Sequence, residues 1–155
     1  LHKLLEDMLT GELAEEMPVV AARARVLMTQ LIIDADNGAK LPDPEEIAVT
    51  VARTLALPEI AALMPSLAPE WPIYAMLSAS PAATALAGRI DAIAVQDGQP
   101  AVVLDWKSDV APSEQDRRDH AAQLSDYLRA TGAPRGAVVY MTDGVIRWVT
   151  TRTPR

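Results

Sequence analysis

Apolar residues follow two different periods in the two halves of the chain. Leu1, Leu4, Leu5, Met8 and Leu9 recur at i, i+3, i+4, i+7 and i+8, the mark of one apolar helix face, and Thr10-Gly11 closes the run. The spacing predicts a second helix from near Pro18 to about Ile33, with Val19, Val26, Leu27, Leu31 and Ile32 apolar. Asp34 to Pro44 reads as a loop, rich in Asp, Asn, Gly and Pro. Asp43 fits an N-cap, with Pro44 at the first helical position and Glu45 and Glu46 in the first turn. That third helix is expected to reach about Leu57. Pro58, Pro65 and Pro69 then punctuate a short fourth helix and a linker, which makes residues 1 to about 68 helical.

Beyond that point the period shortens to two. Trp71 to Leu77 is a candidate strand. Leu86 to Val95 and Ala101 to Trp106 flank Gln96-Asp97-Gly98-Gln99-Pro100, a hairpin signal. Ser113-Glu114-Gln115-Asp116 matches a capping box and opens a helix that runs to Thr131, with Gly132 closing it. Gly136 to Met141 and Val145 to Thr150 form a last hairpin around Asp143-Gly144. Helices, three strands, a helix and two strands make an α/β domain: a mixed sheet with helices packed against it and a helical N-terminal half. The length of 155 residues suits a single domain over 1–155, its sheet and last helix occupying about 70–151.

Composition narrows the chemistry. Half the residues are hydrophobic and 23% charged, an ordinary globular balance. No apolar run reaches the roughly 18 residues of a membrane span. There is no Cys, which excludes disulfides, thiolate metal ligands and a Cys nucleophile. The net charge is −7 and the sequence pI about 4.7. Non-specific nucleic-acid binders are normally basic, so contact with DNA or RNA would need cations from bound metal or a partner. The chain starts at Leu1 with no charged n-region before an apolar stretch, and reads as a segment of a longer, cytoplasmic protein.

The first hairpin carries the chemistry. Asp105 and Lys107 are two apart and share one strand face, while Val102, Leu104 and Trp106 take the other. A three-residue loop at 97–99 makes paired positions sum to 196 and sets Asp91 opposite Asp105, with Cβ atoms roughly 4.5–5.5 Å apart. A two-residue loop would put them on opposite faces. Carboxylates that close repel unless a cation or proton intervenes. Hard oxygen ligands suit Mg²⁺, and a lysine beside them suits phosphodiester hydrolysis.

Gly88-Arg89-Ile90-Asp91, then Val103-Leu104-Asp105-Trp106-Lys107-Ser108, then Gln123-Leu124-Ser125-Asp126-Tyr127 resembles the PD-(D/E)xK nuclease superfamily. It is most similar to the RecB/AddA branch, the nuclease domain at the C-terminus of bacterial helicase–nucleases. Leu1-His2-Lys3-Leu4-Leu5-Glu6-Asp7 is similar to the segment of that branch that holds a metal-binding His. The resemblance implies a restriction-endonuclease-like fold and a Mg²⁺- or Mn²⁺-dependent deoxyribonuclease of exonuclease type, acting in double-strand-break processing and recombination. It implies metal ligation by His2, Asp91, Asp105 and the Trp106 carbonyl, catalysis by Lys107, and support of the site by Gln123 and Tyr127. Glu70 resembles the acidic residue before a strand in this branch, and His120 stands where a Tyr often does. The implied partners are single-stranded DNA, helicase domains of the same polypeptide and a partner subunit, in the bacterial cytoplasm and without a membrane.

Plainer readings stand beside these. The domain could be a weak or structural module that scans DNA without cutting it. Arg117 and Arg118 could meet DNA phosphates or simply form an exposed helix face. Asp7, Glu12, Glu15 and Glu16 read as a solvated acidic face, and Trp106 and Trp148 as core.

Overall fold

The change of period is a change of architecture. The structure is a computed structural model that describes residues 1–34, 42–76 and 85–151. Two units divide the chain, Leu1–Ala61 and Ala62–Arg155. In the first, α1 (His2–Leu9), α2 (Met17–Asp34) and α3 (Pro44–Leu55) follow the predicted order. The Asp43 side chain accepts from the Glu45 amide at 3.0 Å and caps α3 as expected. Most of the predicted loop after Asp34 lies outside the described residues, as does Leu77.

One expectation for this unit fails, that for Asp7, and the packed face of α2 is not that of its largest apolar side chains. The buried side of α2 is Val20, Ala21 and Ala24, while Val19 and Val26 are exposed. α2 packs on α3, whose Ala48 and Val51 are buried like the small residues of α2, and that packing outweighs the larger side chains in choosing the face. Asp7 is not on a solvated face. It is 3% exposed, held by Arg23 Nε at 2.8 Å and Lys3 Nζ at 2.9 Å, because two cations offset its burial. Glu12, Glu15 and Glu16 are exposed as read.

Short α4 (Pro58–Leu63) and a 3-10 turn at Met64–Ser66 lead into the sheet. Its strands are β1 (Leu67–Met76), β2 (Ala85–Gln96), β3 (Gln99–Lys107), β4 (Arg135–Tyr140) and β5 (Val145–Thr150), in spatial order β1-β2-β3-β4-β5. Neighbours are antiparallel except β3 and β4. A parallel pair needs a crossover, and α5 (Glu114–Thr131) supplies it. This is the restriction-endonuclease-like α/β arrangement, a mixed sheet with flanking helices. β1 begins four residues before the predicted Trp71, and takes in Pro69, because Leu67, Ala68 and Pro69 already pair with β2.

The capping box at the start of α5 forms: Asp116 N donates to Ser113 Oγ at 3.2 Å and Ser113 N to Asp116 Oδ2 at 2.8 Å. Leu124 and Leu128 then bury against Ile93, Val103 and Val138. Gly136 on β4 makes this close approach possible. A Cβ there would lie 2.9 Å from Leu124 Cδ1 and 2.8 Å from Val103 O. The same helix brings Gln123 and Tyr127 over the sheet. Trp106 is core, as read, but Trp148 is not: it is 39% exposed on the edge strand, with the Arg135 guanidinium 4.8 Å over its ring. No single described helix is long and apolar enough to cross a membrane.

Candidate active site

The β2–β3 turn differs from the expectation, yet the register at the carboxylates does not. Gln96 pairs with Gln99, so Asp97-Gly98 is a two-residue turn, and both residues take positive φ, 51° and 74°. The pairs near the turn therefore sum to 195. A bulge between Ala94 and Val95 then shifts the ladder to Ala94↔Val102, Ile93↔Val103 and Ala92↔Leu104, which sum to 196. One extra residue in β3 restores the phase that the shorter turn removed. Continuing that register sets Asp91 across from Asp105.

The backbone ladder between β2 and β3 ends at Ala92↔Leu104. There the Asp91 carboxylate takes the place of a carbonyl: its Oδ2 accepts from the Trp106 amide at 2.8 Å. This bond fixes Asp91 beside the segment that carries Asp105. Asp105 is 3% exposed, and Lys107 Nζ lies 3.0 Å from its Oδ2. The contact is an ion pair off the line of a hydrogen bond, so Oδ2 accepts none. Burial pushes the Asp105 carboxyl above its ordinary value; the Lys107 charge opposes this, and the Asp91 charge adds to it.

Lys107 is also held from above. Its Nζ donates to Gln123 Oε1 at 3.0 Å, and Gln123 Nε2 donates to the Tyr127 hydroxyl at 3.0 Å. The spacing of four puts Gln123 and Tyr127 on one face of α5. A single line therefore runs Asp105–Lys107–Gln123–Tyr127. Burial raises the Tyr127 hydroxyl above its usual value, and the bond from Gln123 works against that.

Of the residues singled out from sequence, Asp91, Asp105, Trp106, Lys107, Gln123 and Tyr127 come together in the second unit. His2 begins α1 in the first. Glu70 lies across from Asp91, since Pro69↔Ala92 and Trp71↔Ile90 flank it in one register. It takes φ 55° and pairs with Arg89 Nη1 at 2.8 Å. The strand reading alone left one participant unplaced. Tyr140 is the register neighbour of Lys107, and its hydroxyl stands 3.2 Å from His120 Nδ1. His120 in turn lies close enough to Asp105 for its charge to favour the ionised carboxylate. That pairing depends on β3 and β4 being parallel, which no spacing in the sequence states.

A hard divalent cation fits this donor set. Two carboxylates face one another, and the buried Asp105 Oδ2 accepts no hydrogen bond. Among the described residues no three His, Asp or Glu side chains gather into a cage by themselves. The pair leaves the rest of a coordination shell to backbone, water or substrate oxygens, which is how Mg²⁺ is usually held.

The chain matches the PD-(D/E)XK nuclease superfamily over residues 1–149. No curated protein matches it. Among solved structures it is similar to one described as the crystal structure of SSO0001, with 19% identity and a TM-score of 0.46. That alignment covers 87% of this chain and 62% of the other, so the chain spans under two thirds of that protein's length.

Proposed function

Since the chain belongs to the PD-(D/E)XK nuclease superfamily, we propose that its Asp91–Asp105–Lys107 centre hydrolyses DNA phosphodiester bonds with Mg²⁺ or Mn²⁺. The observation that carries this reading is Asp105: buried, beside a second carboxylate, with a lysine ammonium 3.0 Å away. Asp91, Asp105 and the Trp106 carbonyl would hold the cation. When bound, the cation polarises the phosphate and lowers the pKa of an attacking water. The chain's own part is positioning. The Trp106 amide aims Asp91, and Gln123 aims Lys107. The Lys107 ammonium, with no lone pair to give a metal, orients the attacking water or offsets charge that develops on the phosphate.

The finer reading rests on the order of the G-x-x-D, D-x-K and Q-x-x-x-Y segments. We propose a RecB/AddA-like nuclease domain that acts as an exonuclease on single-stranded DNA during break processing. A helicase motor in the same polypeptide and a partner subunit would feed the strand. The net charge of −7 supports such a division of labour, since the chain on its own has little to hold DNA with at physiological salt. The complete Asp, Asp and Lys set weighs against a silent module.

The test is cleavage of end-labelled single-stranded DNA in Mg²⁺ or Mn²⁺ by wild type and Lys107→Ala. Loss of the ammonium should lower the rate by about 10²–10³. Cleavage within a few-fold of wild type would make Lys107 a surface residue and the D-x-K spacing a coincidence.

A further inference from the structure

Beside the carboxylate centre, a cleft of about 300 Å³ opens between the first half of α5 and the β4–β5 edge. Arg117 and Arg118 line it from the helix and Arg147 from the edge strand, around Val138 and Tyr140. Among the described lining residues the acidic one is Glu114, which pairs with Arg117 at 3.4 Å. Three guanidinium groups against one carboxylate is a marked local excess in a chain of net charge −7. Neither α5 capping nor core packing needs it.

The sheet fixes where this cleft lies. Asp105 is the register partner of Val138, and Val138 of Arg147. Register partners point to the same face, so Asp105, Val138 and Arg147 form one row across three strands. Neighbouring strands are about 4.8 Å apart, which sets Arg147 about 10 Å from Asp105 along the row. Tyr140 lies between them: burial raises its hydroxyl most, and the charges of Arg117 and Arg147 lower it while those of Asp105 and Asp109 raise it. The cleft and the carboxylate pair lie on the same face of the sheet, two strands apart.

We propose that this cleft is a phosphate-binding subsite, in which Arg117, Arg118 and Arg147 hold backbone phosphates of the DNA strand next to the cutting centre. The choice of DNA rests on the nuclease reading; the phosphate chemistry rests on the arginines. A guanidinium presents paired donors that match two phosphate oxygens. Tyr140 is 3% exposed and forms the floor, and Trp148, 39% exposed with the Arg135 guanidinium over its ring, also lines the cleft. Arginine contacts to phosphate position the strand and carry no sequence information.

The test is fluorescence anisotropy with a labelled oligothymidylate at low salt, with Ca²⁺ in place of Mg²⁺, alongside a Mg²⁺ cleavage assay. The proteins are wild type, Arg147→Ala, Arg117→Ala/Arg147→Ala, Arg147→Lys, and Arg25→Ala as a control that removes one charge from the first unit. We expect about tenfold weaker binding for each cleft arginine removed. The plot of log K against log salt should become shallower by about 0.7 for each phosphate no longer neutralised. Arg147→Lys should keep most of that slope, and Arg25→Ala should change nothing. Cleft variants that bind with wild-type affinity and slope would overturn the subsite. If wild type still cuts in that case, the nuclease reading stands alone. Cleft-dependent binding with no cleavage by wild type would keep the subsite and sink the nuclease. A wild type that neither binds nor cuts would overturn both.

Discussion

Asp7 in the helical unit and Asp105 in the sheet unit are equally buried, each 3% exposed, and each has a lysine within 3.0 Å. Their electrostatics are opposite. Burial raises both carboxyls, but at Asp7 the Arg23 hydrogen bond and the Lys3 and Arg23 charges outweigh it and hold the group below the ordinary carboxylate value of 3.8. At Asp105 the one ion-paired cation is Lys107, the facing Asp91 adds repulsion, the His120 charge contributes least, and the carboxyl ends above 3.8. One aspartate is closed by two cations. The other is left one cation short. Burial alone does not mark a functional carboxylate; the missing countercharge does.

The comparison predicts stability effects of opposite sign. Asp7→Asn strands Arg23 and Lys3 and should destabilise the protein by about 1–3 kcal/mol, the usual range for a hydrogen-bonded charge lost from a buried site. Asp105→Asn relieves a buried, repelled charge and should leave the melting temperature in EDTA at neutral pH unchanged or higher. Thermal melts of the two variants against wild type would break the comparison if both fell together.

The same difference appears in pH dependence, with a smaller amplitude. Asp105 has a raised folded pKa, so its contribution is present below 3.8 and is lost as pH rises through the folded value. Asp7 has a lowered one, so its contribution is present above 3.8 and is lost as pH falls through the folded value. In EDTA, the advantage of Asp105→Asn over wild type should grow as pH rises above about 3.8 and level off above the folded value. The deficit of Asp7→Asn should shrink as pH falls below about 3.8. Parallel pH profiles for the two variants would contradict the assignment.

The smallest effect sharpens the Lys107 side. Gln123 acts through Lys107 and touches no carboxylate in the hydrogen bonds it makes here. Gln123→Ala should lower cleavage by only about two- to tenfold, well short of the loss of Lys107 itself. Gln123→Glu should restore part of it, since a carboxylate oxygen can accept from Nζ in the same way. A loss as large as that of Lys107→Ala would make Gln123 a catalytic residue in its own right.

Much of this was legible in the sequence because it rests on local rules. The Asp43 cap, the Ser113–Asp116 box, the Asp143-Gly144 turn and the strand alternation at Asp105 and Lys107 need only nearest neighbours along the chain. The facing of Asp91 and Asp105 was legible for a partly mistaken reason: the turn is shorter than the spacing suggested, and a bulge near Ala94 makes up the difference. Packing was not legible. The choice of Val20, Ala21 and Ala24 over Val19 and Val26 depends on how near α3 comes, and the burial of Asp7 depends on Arg23, sixteen residues away. Nor was the exposure of Trp148, because nothing in a strand's own pattern says that it is the sheet's edge. Tyr140 and the arginine cleft became visible only once β3 and β4 were known to run parallel.

Under the proposed function, the cation that Asp105 lacks is the metal it would bind. Isothermal titration of wild type, Asp105→Asn and Asp7→Asn with Mn²⁺ addresses that claim directly. Wild type and folded Asp7→Asn should bind Mn²⁺ alike, while Asp105→Asn should bind at least about tenfold more weakly, as expected on losing a metal ligand. Equal Mn²⁺ affinity in wild type and Asp105→Asn would contradict it.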